Sequence, residues 1–375
     1  VETSTYFAAI PDNQGRDNPA SRTLENTIKQ AKVDMRDLFN APTGQFFVGE
    51  SGTELLFRLI RNAMVGSANG GKVIGSTLEH PASRSAAMHW AKNLKKSYIS
   101  VPHDKVTGSV CANDYKVHLT DDMRIATILH TSPVTGMGVD VAAISKAIRT
   151  VSPDCFIIVD GIQHAAHGLM DIESYGIDGY VISPYKMFSR HGYGVAWVSD
   201  RLTDLSHEQL NGGPTQNWDL GTRDTGSYAT MSDVVNYLDW LGSELSDETE
   251  RRIKLFVAGQ AIKAQEKILT DAILLGKDNL RGVSELDGVE VLGGVDNPLR
   301  EGLVSLRVKE IPSTDLVTAL RTYNIRAHVR KDDHYSGNIL TPLGWSDCVR
   351  ISLCHYNNTA EVKSLLSAMA KIVNQ

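Results

Sequence analysis

Three segments carry side chains whose type and setting point to chemistry. Phe156-Ile157-Ile158-Val159 is an apolar, mostly β-branched run that ends in Asp160. A carboxylate at the carboxyl end of a buried parallel strand faces the crevice where open α/β sheets bind ligands; the same residue serves equally well as a helix N-cap. Gly179 to Ser183 is a second such run, followed by Pro184-Tyr185-Lys186. Lysine is rarely buried without a partner, and one held among apolar or cationic groups can lose its proton and form a Schiff base with a carbonyl. The plainer alternative is a surface lysine in a strand–loop turn. Gly49-Glu50-Ser51-Gly52-Thr53 precedes a helix-like segment. Amides at a helix start with a threonine hydroxyl make a phosphate cradle, or simply a capped helix.

The elements that must position these groups alternate along the chain. Leu24, Ile28, Ala31, Met35 and Leu38 stand at helical spacing and predict a helix over 24–39. Further helices are expected over 54–65, 82–94 and 141–149, and strands over 46–48, 72–74, 125–129, 156–159, 179–183 and 194–198. Such alternation implies βαβ units and an α/β fold with a mostly parallel sheet, helices on both faces. The rhythm changes in the last third. A long helical stretch at 247–275 precedes short strands within 289–308, 323–329 and 348–354 and helices at 314–322 and 359–373. The expected organisation is an N-terminal arm (1–25), a large domain (26–250) and a smaller C-terminal α+β domain (251–375).

Composition narrows the class. The 375 residues are 42% hydrophobic and 22% charged, with a net charge of −6. These values fit a globular chain, and no basic excess exists to neutralise a nucleic-acid backbone. No apolar stretch approaches the roughly 20 residues that span a bilayer, and Val1 to Ile10 lacks the basic and apolar regions of a secretory signal. Cys111, Cys155, Cys348 and Cys354 lack metal-binding spacing and read as reduced thiols of a cytoplasmic protein. Gly66 to Lys72 has P-loop spacing without the following Ser or Thr, and Gly136-Met137-Gly138 lacks a third dinucleotide-binding glycine. His164 and His167 stand three apart with no third ligand evident, so no metal site is expected.

Taken together, an Asp at one strand end, a Lys at the end of the next and a Gly-Thr helix start match the needs of pyridoxal 5'-phosphate. The Lys holds the aldehyde, the Asp keeps the pyridine nitrogen protonated, and the helix start holds the phosphate. With these motifs the chain resembles fold-type I pyridoxal phosphate enzymes of the class V aminotransferase group, which includes cysteine desulfurases and isopenicillin N epimerase-like proteins. The resemblance runs from about residue 15 to the end. It implies that Asp160 pairs with the ring nitrogen and Gln163 approaches the phenolic oxygen. Lys186 is then the Schiff-base lysine, with Ser183 and Tyr185 at the phosphate. Glu79-His80 matches the family pair whose His stacks on the ring, and Ser51-Gly52-Thr53-Glu54 its phosphate turn. Thr222, in Leu220-Gly221-Thr222, would reach the phosphate of a partner subunit, implying a homodimer. Arg350, in Val349-Arg350-Ile351-Ser352, would clamp the substrate carboxylate.

One departure matters for function. Desulfurases carry a persulfide-forming Cys before the carboxylate Arg, and here the stretch from Arg326 to Ser346 has none, while Cys348 lies too near Arg350. His328, Arg330, His334 and Tyr335 are open as pocket or surface residues. The resemblance implies an enzyme that acts on a small-molecule substrate, an amino acid, through a Schiff base and a Cα carbanion. A lyase (β-elimination, C–S lyase-like) or an epimerase is expected, with a class V aminotransferase as the alternative. A persulfide-type desulfurase and an inactive binding module rank lower, since Lys186, Asp160, His80 and Arg350 are all intact.

Overall fold

The computed structural model describes residues 1–374. Seven strands form the larger sheet: β1 (Gln45–Gly49), β2 (Lys72–Ser76), β3 (Ser97–Val101), β4 (Met123–Leu129), β5 (Phe156–Asp160), β6 (Gly179–Ile182) and β7 (Gly194–Val198). Their order is β1-β7-β6-β5-β4-β2-β3. Strand β7 runs antiparallel to both of its neighbours, and the other six share one direction. β5, β6 and β7 are buried along their whole length, as expected for strands covered on both faces. The covering helices are α1 (Glu2–Ala8), α2 (Pro19–Phe39), α3 (Gly52–Gly66), α4 (Pro81–Asn93), α5 (Ala112–Lys116), α6 (Val141–Val151), α7 (Ile172–Tyr175), α8 (Asp200–Thr203) and α9 (Thr225–Leu245).

Helix α10 (Arg251–Leu275) leads to a short hairpin, β8 (Gly276–Lys277) with β9 (Leu280–Arg281). A four-stranded antiparallel sheet follows, in the order β10-β11-β13-β12. Its strands are β10 (Val289–Val291), β11 (Leu303–Val308), β12 (His328–Lys331) and β13 (Asp347–Ser352), with helices α11 (Ser313–Thr322), α12 (Gly337–Leu343) and α13 (Thr359–Val373). α10 serves two cores. Leu255, Ala258 and Ile262 pack beneath the large sheet, and Leu269, Ala272, Ile273 and Leu274 pack with the small one. Each fully buried Leu or Ile of this kind contributes about 1.5–3 kcal/mol, so α10 is fixed to both bodies. Among the described residues no helix is long and apolar enough to cross a membrane.

Several elements differ from the sequence-based expectation, among them β12, α9 and β3. The strand expected over 323–329 begins later, at His328, because Asn324 takes a left-handed conformation (φ 59°) just after α11. α9 escapes the apolar periodicity because its first turns are buried yet polar, with Thr225, Ser227 and Thr230 among its covered residues. β3 is an edge strand with exposed Ser97 and Ser100, so its pattern is weak.

Candidate active site

The carboxyl ends of β4, β5 and β6 open on one small cavity. Thr53, His80, Asp160, Gln163, Ser183, Tyr185, Lys186 and Tyr335 line it, together with Leu129, Pro133 and Ile162. Parallel strand ends form such crevices because each strand delivers its last residue to the same edge. Asp160 is the last residue of β5, and Lys186 lies in the 3-10 turn that follows β6. Gly52 is buried behind the cavity wall at the start of α3. A Cβ there would meet Ser183 Oγ and Ile162 Cδ1, each at 2.5 Å. Ser51 caps α3 by accepting the Glu54 amide at 3.1 Å. The amides of Gly52 and Thr53 belong to the first turn, which has no internal acceptors, the basis of anion binding at such an end.

Asp160 is 2% exposed, and its Oδ1 accepts the Ile162 amide at 3.0 Å. Burial pushes its carboxyl up to about 6, opposed by that bond and by the Lys186 charge. A cation brought against it would reverse the shift, which suits a protonated pyridine nitrogen. Burial brings Lys186 down to about 8, with Arg350 and Arg330 adding to the effect and Asp160 opposing it. Lysine therefore offers a sizeable neutral fraction near neutral pH, the form that attacks an aldehyde.

Lys186 Nζ donates to Gln163 Oε1 at 3.0 Å. The Gln163 amide continues to His167 Nε2 at 2.8 Å, and His167 Nδ1 meets both Glu266 oxygens at 3.0 Å. The assignment is self-consistent: the Gln163 Nε2 group donates, so His167 Nε2 accepts and its Nδ1–H faces the carboxylate. His164 is bound separately, to Glu301 at 2.8 Å. The two histidines thus each engage a glutamate.

His80 caps α4, its Nδ1 accepting the Ala82 amide at 3.1 Å. Burial, then the charges of Lys186, Arg330 and Arg84, push it down to about 4. A neutral imidazole with Nδ1 accepting carries its proton on Nε2, which meets the Tyr335 oxygen at 2.9 Å. The phenol oxygen is thus the acceptor, and its own proton is free for another partner. Beneath His80, Glu79 accepts from Ser83 Oγ (2.7 Å) and the Leu129 amide (3.0 Å). Its burial raises it to about 7.

Arg350 stands on β13 and donates to the carbonyl of Pro133, a cavity residue, at 3.1 Å. Thr222 lies on an exposed loop outside the cavity, beside Arg223, which pairs with Glu50 at 2.8 Å. Of the residues left open by sequence, Tyr335 lines the cavity and Arg330 lies over its ring at 4.7 Å. His328 and His334 are exposed. Sequence reasoning assigned no role to the His167–Glu266 pair. The short His164–His167 spacing was its only signal, and that spacing suggests metal binding.

Pyridoxal phosphate fits these residues: an amine, a buried carboxylate short of a cation, a neutral imidazole and a helix start surround one cavity. Comparison with known proteins agrees. The family described as "Aminotransferase class-V" matches residues 4–365. The chain is 24% identical over 388 residues to the cysteine desulfurase-like protein ustD of Aspergillus flavus, covering 100% of this chain and 83% of that protein. It is 25% identical over 389 residues to the nonribosomal peptide synthetase-like enzyme fsqF of Aspergillus fumigatus, where 99% of this chain spans only 24% of the relative. The apo cysteine desulfurase of Thermococcus onnurineus superposes with a TM-score of 0.82 at 18% identity, covering 100% of this chain and 90% of that one, a likeness of fold. The chain therefore belongs to the class V aminotransferase family of fold-type I enzymes, whose cofactor is pyridoxal phosphate.

Proposed function

We propose that this chain acts at Cα and Cβ of an amino acid as a lyase, by β-elimination, or as an epimerase. The observation that carries the reading is the Tyr335 phenol. It lines the cavity of Lys186 and accepts from His80, which leaves its own proton available. Both reactions are served by a second acid apart from the lysine: the lyase to protonate the departing β-group, the epimerase to protonate Cα on the face opposite the lysine. An aminotransferase can return the proton through the same lysine and needs no second donor.

In this reading Gly52, Thr53, Ser183 and Tyr185 hold the cofactor phosphate, and His80 lies against the ring. Asp160 would pair with the ring nitrogen, Gln163 would approach the phenolic oxygen, and Lys186 would hold the aldehyde. Bound pyridoxal phosphate supplies an acceptor for the electron pair left at Cα. Arg350 fixes the substrate carboxylate by its planar fork. Lys186 Nζ, released once the substrate amine takes its place and with its basicity lowered by burial, takes the Cα proton. Tyr335 then protonates the departing β-group in a lyase, or Cα itself in an epimerase.

Among the described residues no cysteine lines the cavity to carry a persulfide. Cys348 is fully buried and its thiol is pushed up to about 12. The segment before Arg350 places Tyr335, not a thiol, in the cavity. The proposal includes a homodimer in which Thr222 reaches the partner subunit's phosphate, since its loop is exposed beside the α3 start. The four free cysteines support a reducing compartment, the cytoplasm.

The visible absorbance of the cofactor-loaded protein, titrated with L- and D-amino acids, selects the substrate, and its products then decide. Ammonia and a keto acid formed without a keto-acid acceptor mark the lyase, and inversion at Cα marks the epimerase. Turnover that strictly requires a keto-acid acceptor would overturn both.

A further inference from the structure

We propose that this site is built for an amino acid with an anionic side chain, Arg350 taking the α-carboxylate and Arg330 the second anion. The inference rests on the amino-acid site described above. Arg350 on β13 pairs with His328 of β12, and Arg330 pairs with Cys348. Paired residues share a face, and alternate residues return to it. The two arginines are therefore diagonal neighbours on one face, their stems about 7–8 Å apart. Ser305, on the other side of Arg350, shares that face and donates to the Val134 carbonyl at 2.5 Å. The face is thus held against the segment carrying Pro133, a wall of the cavity.

Neither guanidinium has a carboxylate within 4 Å among the described residues. Arg350 has one hydrogen bond, to Pro133. Arg330 has only the Tyr335 ring. The Nε of each is buried and unpartnered. The nearby carboxylates are committed elsewhere. Asp160 holds the Ile162 amide and, in the function proposed above, would pair with the ring nitrogen. Glu79 is bound by Ser83 and Leu129. Asp333 accepts the amides of Tyr335 and Ser336. Partly buried cations this close repel each other, and burial together with the Arg330 charge lowers the proton affinity of Arg350, an arrangement that calls for anions from outside. One α-carboxylate neutralises one of them. The second calls for a carboxylate, sulfinate or sulfonate on Cβ or Cγ, within the short span between the two stems.

The test uses the cofactor-loaded protein and two ligands without an amine, succinate and butyrate, with binding read by calorimetry. Succinate should bind at least tenfold more tightly. Arg330→Gln should abolish that preference while butyrate affinity and cofactor content stay within about twofold, and Arg330→Lys should restore part of it. L-aspartate should likewise shift the visible band at lower concentration than L-alanine. Equal binding of succinate and butyrate to the parent protein overturns the proposal. So does an Arg330→Gln protein that loses cofactor, which would assign Arg330 to the phosphate. If no amino acid of any charge perturbs the visible band, the amino-acid site itself falls.

Discussion

Tyr335→Phe separates the proposed acid from a merely structural tyrosine. Phenylalanine keeps the ring that lies edge-on to His80 at 4.9 Å and beneath Arg330 at 4.7 Å. Only the oxygen is lost. If that oxygen does no more than accept from His80 Nε2, its removal costs about 0.5–1.5 kcal/mol. Were all of that cost to appear in the rate, it would amount to a factor of about 2–13. If Tyr335 delivers the second proton, the loss is the contribution of a positioned acid, about 10²–10⁴-fold or roughly 3–5 kcal/mol. The two ranges do not overlap. Two rates should be measured on the same sample: exchange of the Cα hydrogen with solvent deuterium, which needs Lys186, and product release or inversion, which needs both groups. The variant should keep exchange within about tenfold and lose at least a hundredfold in product. A product loss below about tenfold, or an equal fall in both rates, would refute the role.

Three further predictions concern cofactor uptake and folding. With Lys186 brought down to about 8, the rate at which cofactor-free protein takes up pyridoxal phosphate should rise about tenfold per pH unit below 8 and level off above it. A rate still climbing past pH 9 would show an ordinary lysine. Glu79 is raised from its usual 4.5 to about 7, so its stabilising contribution is complete below pH 4.5 and is lost as pH rises through 7. Glu79→Gln should therefore match the parent near pH 4.5 in denaturation of the cofactor-free protein, and exceed it at pH 8 by up to roughly 3 kcal/mol. A variant equally destabilised at both pH values would count against this. Gly52→Ala places a methyl 2.5 Å from Ser183 Oγ and Ile162 Cδ1, an overpacking of about 1–3 kcal/mol. It should lower cofactor retention on dialysis at least tenfold while the cofactor-free protein still folds, and full retention would remove Gly52 from the cradle.

The residues that could be read from sequence are those whose setting is local. β5 and β6 are short apolar runs with a polar residue at the end, so Asp160 and Lys186 announce themselves. Ser51 and Glu54 mark the start of α3 within four positions. Tyr335 is different, because its meaning lies in a hydrogen bond to a residue 255 positions away. His167 finds its carboxylate 99 positions on, along α10. No local pattern encodes such pairings; they exist only once the two sheets are packed. β12 was misplaced for a related reason: Ile325, Ala327 and Val329 alternate like a strand, yet the turn at Asn324 delays pairing to His328. In the register that results, Arg330 lies beside Arg350.

Glu266, the far end of the bond chain from Lys186, belongs to α10, the helix fixed to both cores. Gly302, just ahead of β11, lies so near that a Cβ there would be 2.7 Å from Glu266 Oε2. The larger sheet, the shared helix and the smaller sheet thus meet at one carboxylate. The position of the Lys186 amine is therefore set, through Gln163 and His167, by a carboxylate that the backbone of the smaller body abuts.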